Sequence, residues 1–141
     1  MTRFVVRFVT DWDLARALTY IADFENAQQW DPSVATSTRR DDGPLRVGSS
    51  FDLAVRFAGR TVPLHYELTE LSETRAVLRA ATSSFESCDT VSVALLGERT
   101  ELTYDAQLSL RGWWRVFDPL LRIAFARLAE RAAVGIRRAI A

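Results

Sequence analysis

Between residues 34 and 110, apolar side chains recur at about every second position, and this alternation is the feature that most constrains the fold. A strand buried on one face points successive side chains to opposite sides, so a period of two predicts β-structure. Segments with a helical period lie on both sides of this region. The sequence therefore predicts an α+β fold in which an N-terminal strand and two helices precede six strands and one long helix.

Two consecutive apolar runs in this region predict a β-hairpin with a defined register. A tight turn at Ala58-Gly59 would join them and set Val55 opposite Val62 and Leu53 opposite Leu64. With this turn, the apolar residues of both strands point to the same face of the hairpin. The position of the turn does not by itself require this agreement. That agreement indicates which side chains of the hairpin point inward and which point outward.

The single histidine, His65, is the obvious general base because its ordinary pKa lies close to neutrality. The hairpin register, however, places it on the outer face beside Pro63 and Glu67. A role in a buried site would require a register slip, which would also expose Leu64 and Tyr66. We therefore expect His65 to be a surface residue.

A second hairpin, with its turn at Gly97-Glu98, brings a carboxylate onto the apolar face. Its register pairs Val91 with Tyr104 and Asp89 with Ala106. A carboxyl group there must be paired or protonated, because burying an unpaired charge is costly. An ion pair with an arginine, a hydrogen bond to a tyrosine, a position at a wet mouth and a part in proton transfer all remain open. In each case Asp89 is the best polar contact for a ligand.

Helix signals precede and follow the sheet. Thr10 or Asp11 is the predicted N-cap of a helix that runs to about Phe24. A second, short helix over residues 25–30 ends at Asp31-Pro32, since a residue before proline is pushed out of helical geometry.

The last helix is predicted to start at Asp118 as its N-cap, with Pro119 in the first position. Apolar residues follow at helical spacing, and several of those that would face the sheet are small, as are their counterparts on the sheet. The small residues are Ala124, Ala132 and Gly135 on the helix and Ala80, Thr82, Ser87 and Ala106 on the sheet. Two small surfaces either touch closely or leave a void, and both alternatives remain open from the residues.

Composition excludes several classes of function. The formal net charge is zero and all 18 basic residues are arginine, so neither a basic field for nucleic acid nor a Schiff-base lysine is present. One histidine and one cysteine, Cys88, cannot form a metal cluster of the usual ligands, and no phosphate-binding loop occurs. We therefore expect no cofactor and no nucleic-acid partner.

Location is inferred from what the sequence lacks. No apolar run approaches the roughly 20 residues that span a bilayer, and the N-terminal residues do not have the layout of a signal peptide. A single cysteine suits a reducing compartment. These features predict one cytoplasmic domain over residues 1–141 without stable membrane insertion. The sequence leaves open whether the protein is a monomer or a homodimer.

Several short motifs follow one another along the chain. They are Trp30-Asp31-Pro32, Val47-Gly48-Ser49, Gly59, Leu68-Thr69-Glu70-Leu71, Arg99-Thr100-Glu101-Leu102-Thr103-Tyr104 and Phe117-Asp118-Pro119-Leu120-Leu121. Taken in this order, they resemble those of the START-like, or helix-grip, superfamily, and in detail the chain resembles its bacterial polyketide cyclase/dehydrase-like branch, often labelled SRPBCC.

This resemblance implies a curved seven-stranded antiparallel sheet wrapped around a long C-terminal helix, with a cavity between them. The family includes polyketide aromatases and cyclases, lipid and quinone carriers, and hormone receptors, so the fold does not choose the activity. The resemblance also implies that Trp113 and Trp114 lie near the opening of the cavity. We expect one of them to point inward and the other outward, and Trp30 to be structural packing.

The leading prediction is a protein that binds a small hydrophobic or aromatic molecule between the sheet and the last helix. The expected ligand contacts are Phe51, Leu64, Tyr66, Asp89, Tyr104, Trp114, Phe117 and Leu121.

Two other functions are alternatives. A polyketide aromatase/cyclase would move protons through Asp89, Tyr66 or Tyr104. A quinone or lipid carrier would instead touch a bilayer with Trp113 and Trp114.

Overall fold

A computed structural model describes residues 1–57 and 59–141. The sheet has seven strands, which in chain order are β1 Thr2–Thr10, β2 Val34–Arg39, β3 Ser50–Phe57, β4 Arg60–Leu71, β5 Arg75–Ala81, β6 Phe85–Leu96 and β7 Arg99–Leu110. The helices are α1 Leu14–Ala22, α2 Ala27–Trp30 and α3 Asp118–Ala139, with short 3₁₀ helices at Phe24–Asn26 and Gly112–Phe117. The predicted order of a strand, two helices, six strands and a long helix is confirmed.

All neighbouring strands are antiparallel, in the spatial order β1-β7-β6-β5-β4-β3-β2. The first strand therefore pairs with the last, and β1 and β2 form the two edges of the curved sheet. Register shifts interrupt the β2–β3 and β4–β5 ladders. Such irregularities bend strands and increase their twist, which favours curvature. The long helix α3 lies across this sheet and packs against β1 and α2.

Both predicted hairpin registers are confirmed by the strand pairing. Leu53 lies opposite Leu64, and Asp89 lies opposite Ala106. The second hairpin turns at Gly97, whose φ of 63° lies in the left-handed region that suits glycine. Of the first predicted turn, Gly59 also has a positive φ, whereas Ala58 lies outside the described residues.

The first helix begins later than predicted. Asp13, rather than Thr10 or Asp11, is the N-cap of α1, and its carboxylate accepts a hydrogen bond from the backbone N–H of Arg16 at 2.7 Å. The Thr10 hydroxyl instead donates to the carbonyl of Ile140 near the C-terminus. It also accepts a hydrogen bond from the backbone N–H of Trp12 at 3.2 Å, so the local bond of Thr10 lies before the helix and not in its first turn.

The start of the last helix also differs from the prediction by one residue. A 3₁₀ helix over Gly112–Phe117 leads directly into α3, so Asp118 already has helical geometry instead of capping the helix. Phe117 occupies the cap position, and its side chain makes no capping hydrogen bond. A preceding helical turn supplies carbonyl groups to the first N–H groups of α3, which reduces the need for a side-chain cap.

Within the described ranges, the helices are all too short or too polar to cross a membrane.

Candidate functional site

A cavity of about 200 Å³ lies between the inner face of the sheet and α3. This volume exceeds the ~150 Å³ of an engineered apolar cavity that is large enough to bind benzene. Aromatic side chains make up much of its wall, and they come from strands and helices alike: Phe4, Phe8, Phe24, Trp30, Phe57, Tyr66, Phe85, Tyr104 and Phe125. The space therefore suits a flat apolar molecule.

Some of the small residues predicted to face each other border the void, whereas Ala124, Ala80 and Thr82 are not in its wall. Ala106 on β7 and Ala132 on α3 both line the cavity. Gly135, one turn further along α3, instead packs against the backbone of Trp30. The close contact of Gly135 is therefore with α2 and not with the small residues of the sheet that face the last helix across the void.

Five of the eight expected ligand contacts lie in the cavity wall. They are Leu64, Tyr66, Asp89, Tyr104 and Leu121. The strand register explains the first four, because each lies on the inner face of its strand. The helical period explains the fifth, which is buried where α3 begins to cross the sheet.

The other three expected contacts lie elsewhere. Phe51 is fully buried against Phe24, with 6.1 Å between ring centroids, because the 3₁₀ helix of Phe24 covers that end of β3. Trp114 and Phe117 are exposed. They are three residues apart in a 3₁₀ helix, so the three-residue turn aligns both side chains on one outward face.

The two tryptophan side chains before α3 are both exposed, which contradicts the expectation that one of them points inward. Trp113 is 68% exposed and Trp114 is 37% exposed, and the two rings stack on each other at 4.2 Å. With four neighbouring residues they form an exposed surface that we call the apolar ridge. Its members are Trp113, Trp114, Val116, Phe117, Leu120 and Ile123.

Asp89 is the central polar group of the cavity. It is only 8% exposed, and its Oδ2 accepts a hydrogen bond from the hydroxyl of Tyr104 at 2.7 Å. Burial raises the pKa of Asp89 to about 7, the Tyr104 hydrogen bond opposes this increase, and the charges of Asp31 and Asp105 add to it. Burial also raises the pKa of Tyr104 well above its ordinary value. Near neutral pH the cavity therefore contains a carboxyl group that can gain or lose a proton.

A second acidic residue, Asp31, also lies in the cavity wall. In the sequence, Asp31-Pro32 indicates only the end of a helix and does not reveal that Asp31 belongs to the site. Asp31 accepts hydrogen bonds from the N–H and the hydroxyl of Ser33 at 2.9 and 2.7 Å. Burial is the main cause that raises its pKa. The sequence Asp-Pro-Ser is typical of a turn in which the Asp side chain bonds to the backbone two residues further on. The position of this turn directly after α2 is the signal that could have identified Asp31 as a site residue.

Trp30, which is expected to be structural packing, also lies in the cavity wall. Its ring is buried, lines the cavity and lies edge-on to Tyr104 with centroids 5.7 Å apart. Next to Tyr104 in space, the hydroxyls of Tyr66 and Ser87 form a hydrogen bond of 2.9 Å. The Trp30 ring therefore lies beside the hydrogen-bonded Asp89–Tyr104 pair in the cavity wall.

The remaining chemical candidates lie outside the cavity. His65 is exposed on the outer face, as predicted, and its Nδ1 is 2.9 Å from a carboxylate oxygen of Asp52. Burial raises the pKa of the Cys88 thiol, which disfavours the reactive thiolate. Across residues 1–57 and 59–141, His, Cys, Asp and Glu side chains do not gather in a group of three that could hold a metal ion.

The chain is similar to known proteins in both sequence pattern and fold. A family model described as polyketide cyclase / dehydrase and lipid transport matches residues 1–141. No curated protein matches the sequence significantly.

Solved structures are similar over nearly the whole chain. A START superfamily protein from Mycobacterium smegmatis superposes with a TM-score of 0.78 at 17% identity, covering 99% of this chain and 97% of that one. The Zhui aromatase/cyclase from Streptomyces sp. R1128 gives 0.75 at 13% identity, with 98% and 90% covered. Major latex-like protein 151 from Panax ginseng gives 0.67 at 9% identity, with 98% and 96% covered. At these identities the likeness shows the shared helix-grip fold.

Proposed function

Since the chain belongs to the polyketide cyclase / dehydrase and lipid transport family, we propose that it binds a small hydrophobic or aromatic molecule between the sheet and α3. The observation that carries this proposal is the cavity of about 200 Å³ with its largely aromatic wall. Transfer of an apolar ligand from water into such a space is favourable by roughly 25 cal/mol per Å² of apolar surface removed from water. The few polar groups, chiefly Asp89 and Tyr104, would orient the ligand.

Filling the cavity from within tests this proposal. Ala129 lines the cavity on α3, so Ala129→Phe places a ring in the space that the ligand would occupy. Val134 is exposed on the same helix, and Val134→Phe is the matched control. Native mass spectrometry of freshly purified protein should show a retained small molecule in the wild type and in Val134→Phe, and none in Ala129→Phe. Retention by Ala129→Phe would contradict binding at this place.

A polyketide aromatase/cyclase is a second candidate function, favoured by the Asp89–Tyr104 pair. A general acid or base works best when its pKa lies near the operating pH, and the pKa of Asp89, about 7, meets this condition. The carboxylate would take a proton from an activated methylene of a β-keto chain. The resulting enolate carbon would then attack a second carbonyl of the same chain.

Asp89→Asn, assayed with a ketide mimic, separates binding from catalysis. Lost turnover with unchanged binding supports the enzyme, whereas absence of turnover in the wild type rejects it. Asp52→Asn is the control, because Asp52 lies on β3 and pairs with Arg40 on the outer face of the sheet.

A lipid or quinone carrier is a third candidate, favoured by the apolar ridge. Exposed tryptophans are typical of surfaces that rest in a lipid headgroup region. Arg115 and Arg122 are exposed next to the ridge, and neither forms an ion pair with any described residue. Such cations are attracted to anionic phospholipids. The ridge would then hold the protein on a bilayer while the ligand enters or leaves.

Co-sedimentation with vesicles that contain phosphatidylglycerol tests the carrier. The double variant Trp113→Ala/Trp114→Ala should lose binding to these vesicles. Leu95→Ala, at an exposed apolar position on the β6–β7 hairpin, should retain it. Binding that survives the double variant would count against a membrane role of the ridge.

A further inference from the structure

The cavity wall carries negative charge and no positive charge. Its acidic residues are Asp31 and Asp89, and none of the arginines lines it in the described part of the chain. This distribution is not a consequence of composition, because the chain contains 18 basic and 18 acidic residues. The acidic lining of the cavity therefore restricts the charge that a bound ligand can carry.

The two carboxyl groups interact, because the charge of Asp31 adds to the increase in the pKa of Asp89. Asp31 follows Trp30 directly in the chain, and the Trp30 ring lies 5.7 Å from that of Tyr104. The Tyr104 hydroxyl in turn lies 2.7 Å from Asp89. Carboxyl groups and electron-rich ring faces thus occur together, and both attract cations.

An anionic ligand is disfavoured in this site. Its carboxylate would face two acidic side chains in a space of low dielectric constant, without an arginine to compensate. A neutral ligand avoids this repulsion but does not compensate the charge of an ionised Asp89. A protonated amine does, because each N–H can donate to a carboxylate oxygen while the cation rests on an aromatic face.

We propose that the ligand of this cavity is a protonated amine carried on an aromatic or other flat apolar body, with its ammonium group bound at Asp89 and further favoured by the charge of Asp31. This inference rests on the proposed binding function and specifies its ligand class. The hydroxyl of Tyr104 would keep its hydrogen bond to one oxygen of Asp89. The second oxygen of Asp89 would accept from the ammonium group.

Binding of an amine should depend on the ionisation of Asp89. The groups that face this carboxyl are Tyr104 from β7, Tyr66 from β4 and Asp31 after α2, while Asp105 acts from the far face of β7. The side chains of α3 that line the cavity are uncharged. Because the pKa of Asp89 is about 7, affinity for an amine should rise between about pH 6 and pH 8.

Three probes that share a naphthalene ring system and differ in charge test the charge preference of the cavity. Their binding is measured by isothermal titration calorimetry at about pH 8. They are naphthylmethylamine, naphthylmethanol and naphthoate. The amine should bind about tenfold or more tightly than the alcohol, as expected for a hydrogen bond to a charged group, and naphthoate should bind most weakly. Equal or tighter binding of the alcohol would overturn the amine inference and leave the proposed function intact. Failure of all three probes to bind would count against the proposed function itself.

Two variants locate the preference within the cavity. Asp89→Asn should remove the advantage of the amine over the alcohol while retaining the affinity for the alcohol. Asp31→Asn provides an independent second variant and should reduce the same advantage. Asp52→Asn is the control on the outer face, where Asp52 pairs with Arg40, and it should keep the wild-type preference. An amine preference that is unchanged in both cavity variants would contradict the proposed position of the ammonium group.

Discussion

A β-carbon built on Gly135 would lie 1.6 Å from the carbonyl oxygen of Trp30, so α3 and α2 meet backbone to backbone at this point. The obstacle is a main-chain atom, which cannot rotate away as a side chain can. The contact keeps α3 against the Trp30 end of the cavity. Elsewhere along the helix, small residues border open space instead.

Gly135→Ala should therefore destabilise the protein, although alanine is the better helix former. We expect a decrease of about 1–3 kcal/mol in the free energy of unfolding, measured by urea denaturation, because α3 must move away from Trp30. Val134→Ala, at the exposed neighbouring position, should change the stability by less than about 0.5 kcal/mol. Equal effects of the two variants would show that the close contact is unimportant.

Tyr104→Phe should raise the pKa of Asp89 above its wild-type value of about 7. The Tyr104 hydroxyl donates to the carboxylate and so favours its ionised form, and removing it leaves the desolvation penalty unopposed. The carboxyl carbon shift of Asp89, followed by NMR across pH, measures this change. Tyr66→Phe is the control, since the Tyr66 hydroxyl bonds to Ser87. A lower Asp89 pKa in Tyr104→Phe would contradict the assignment.

Asp89 should make the folded protein less stable as pH rises from about 4 to about 7. Its pKa is higher in the folded state than the ordinary 3.8, so in this range the folded state binds more protons than the unfolded state. Stability then decreases with increasing pH and levels off above about pH 7, with a total effect of up to about 4 kcal/mol. Asp89→Asn should reduce this decrease when unfolding free energies are compared at several pH values. An unchanged pH profile in Asp89→Asn would be inconsistent with a buried, titrating carboxyl group.

His65→Ala should leave ligand binding unchanged. The side chain is exposed on the outer face, and its ion pair with Asp52 is also exposed. Exposed pairs of this kind contribute about 0–1 kcal/mol, so the unfolding free energy should also change little. Calorimetric titration with a naphthalene probe measures the affinity. Loss of binding in this variant would show that the site extends to the outer face.

Alternation along the strands is sufficient to sort inward from outward residues. It predicts Asp89 on the inner face and His65 on the outer face, and the structure agrees on both. The reason is physical: side chains alternate strictly along a strand, and a short turn allows only one register. The order of strands and helices follows from the same local periodicities.

Residues whose positions depend on how helices meet the sheet are predicted less well. Trp114 and Phe117 are expected in the cavity, yet a 3₁₀ turn directs both into the solvent. Phe51 has the correct strand face, but the helix segment of Phe24 covers it.

The sequence by itself thus determined the strand faces, the hairpin registers and the order of the elements, because these depend on local periodicity and turn length. Only the tertiary structure decided that Asp31 joins Asp89 in one cavity and that Gly135 touches Trp30 while Ala132 borders open space. Those relationships depend on where α3 crosses the sheet. That crossing is set by the summed packing of side chains distant in the chain, which no local pattern encodes.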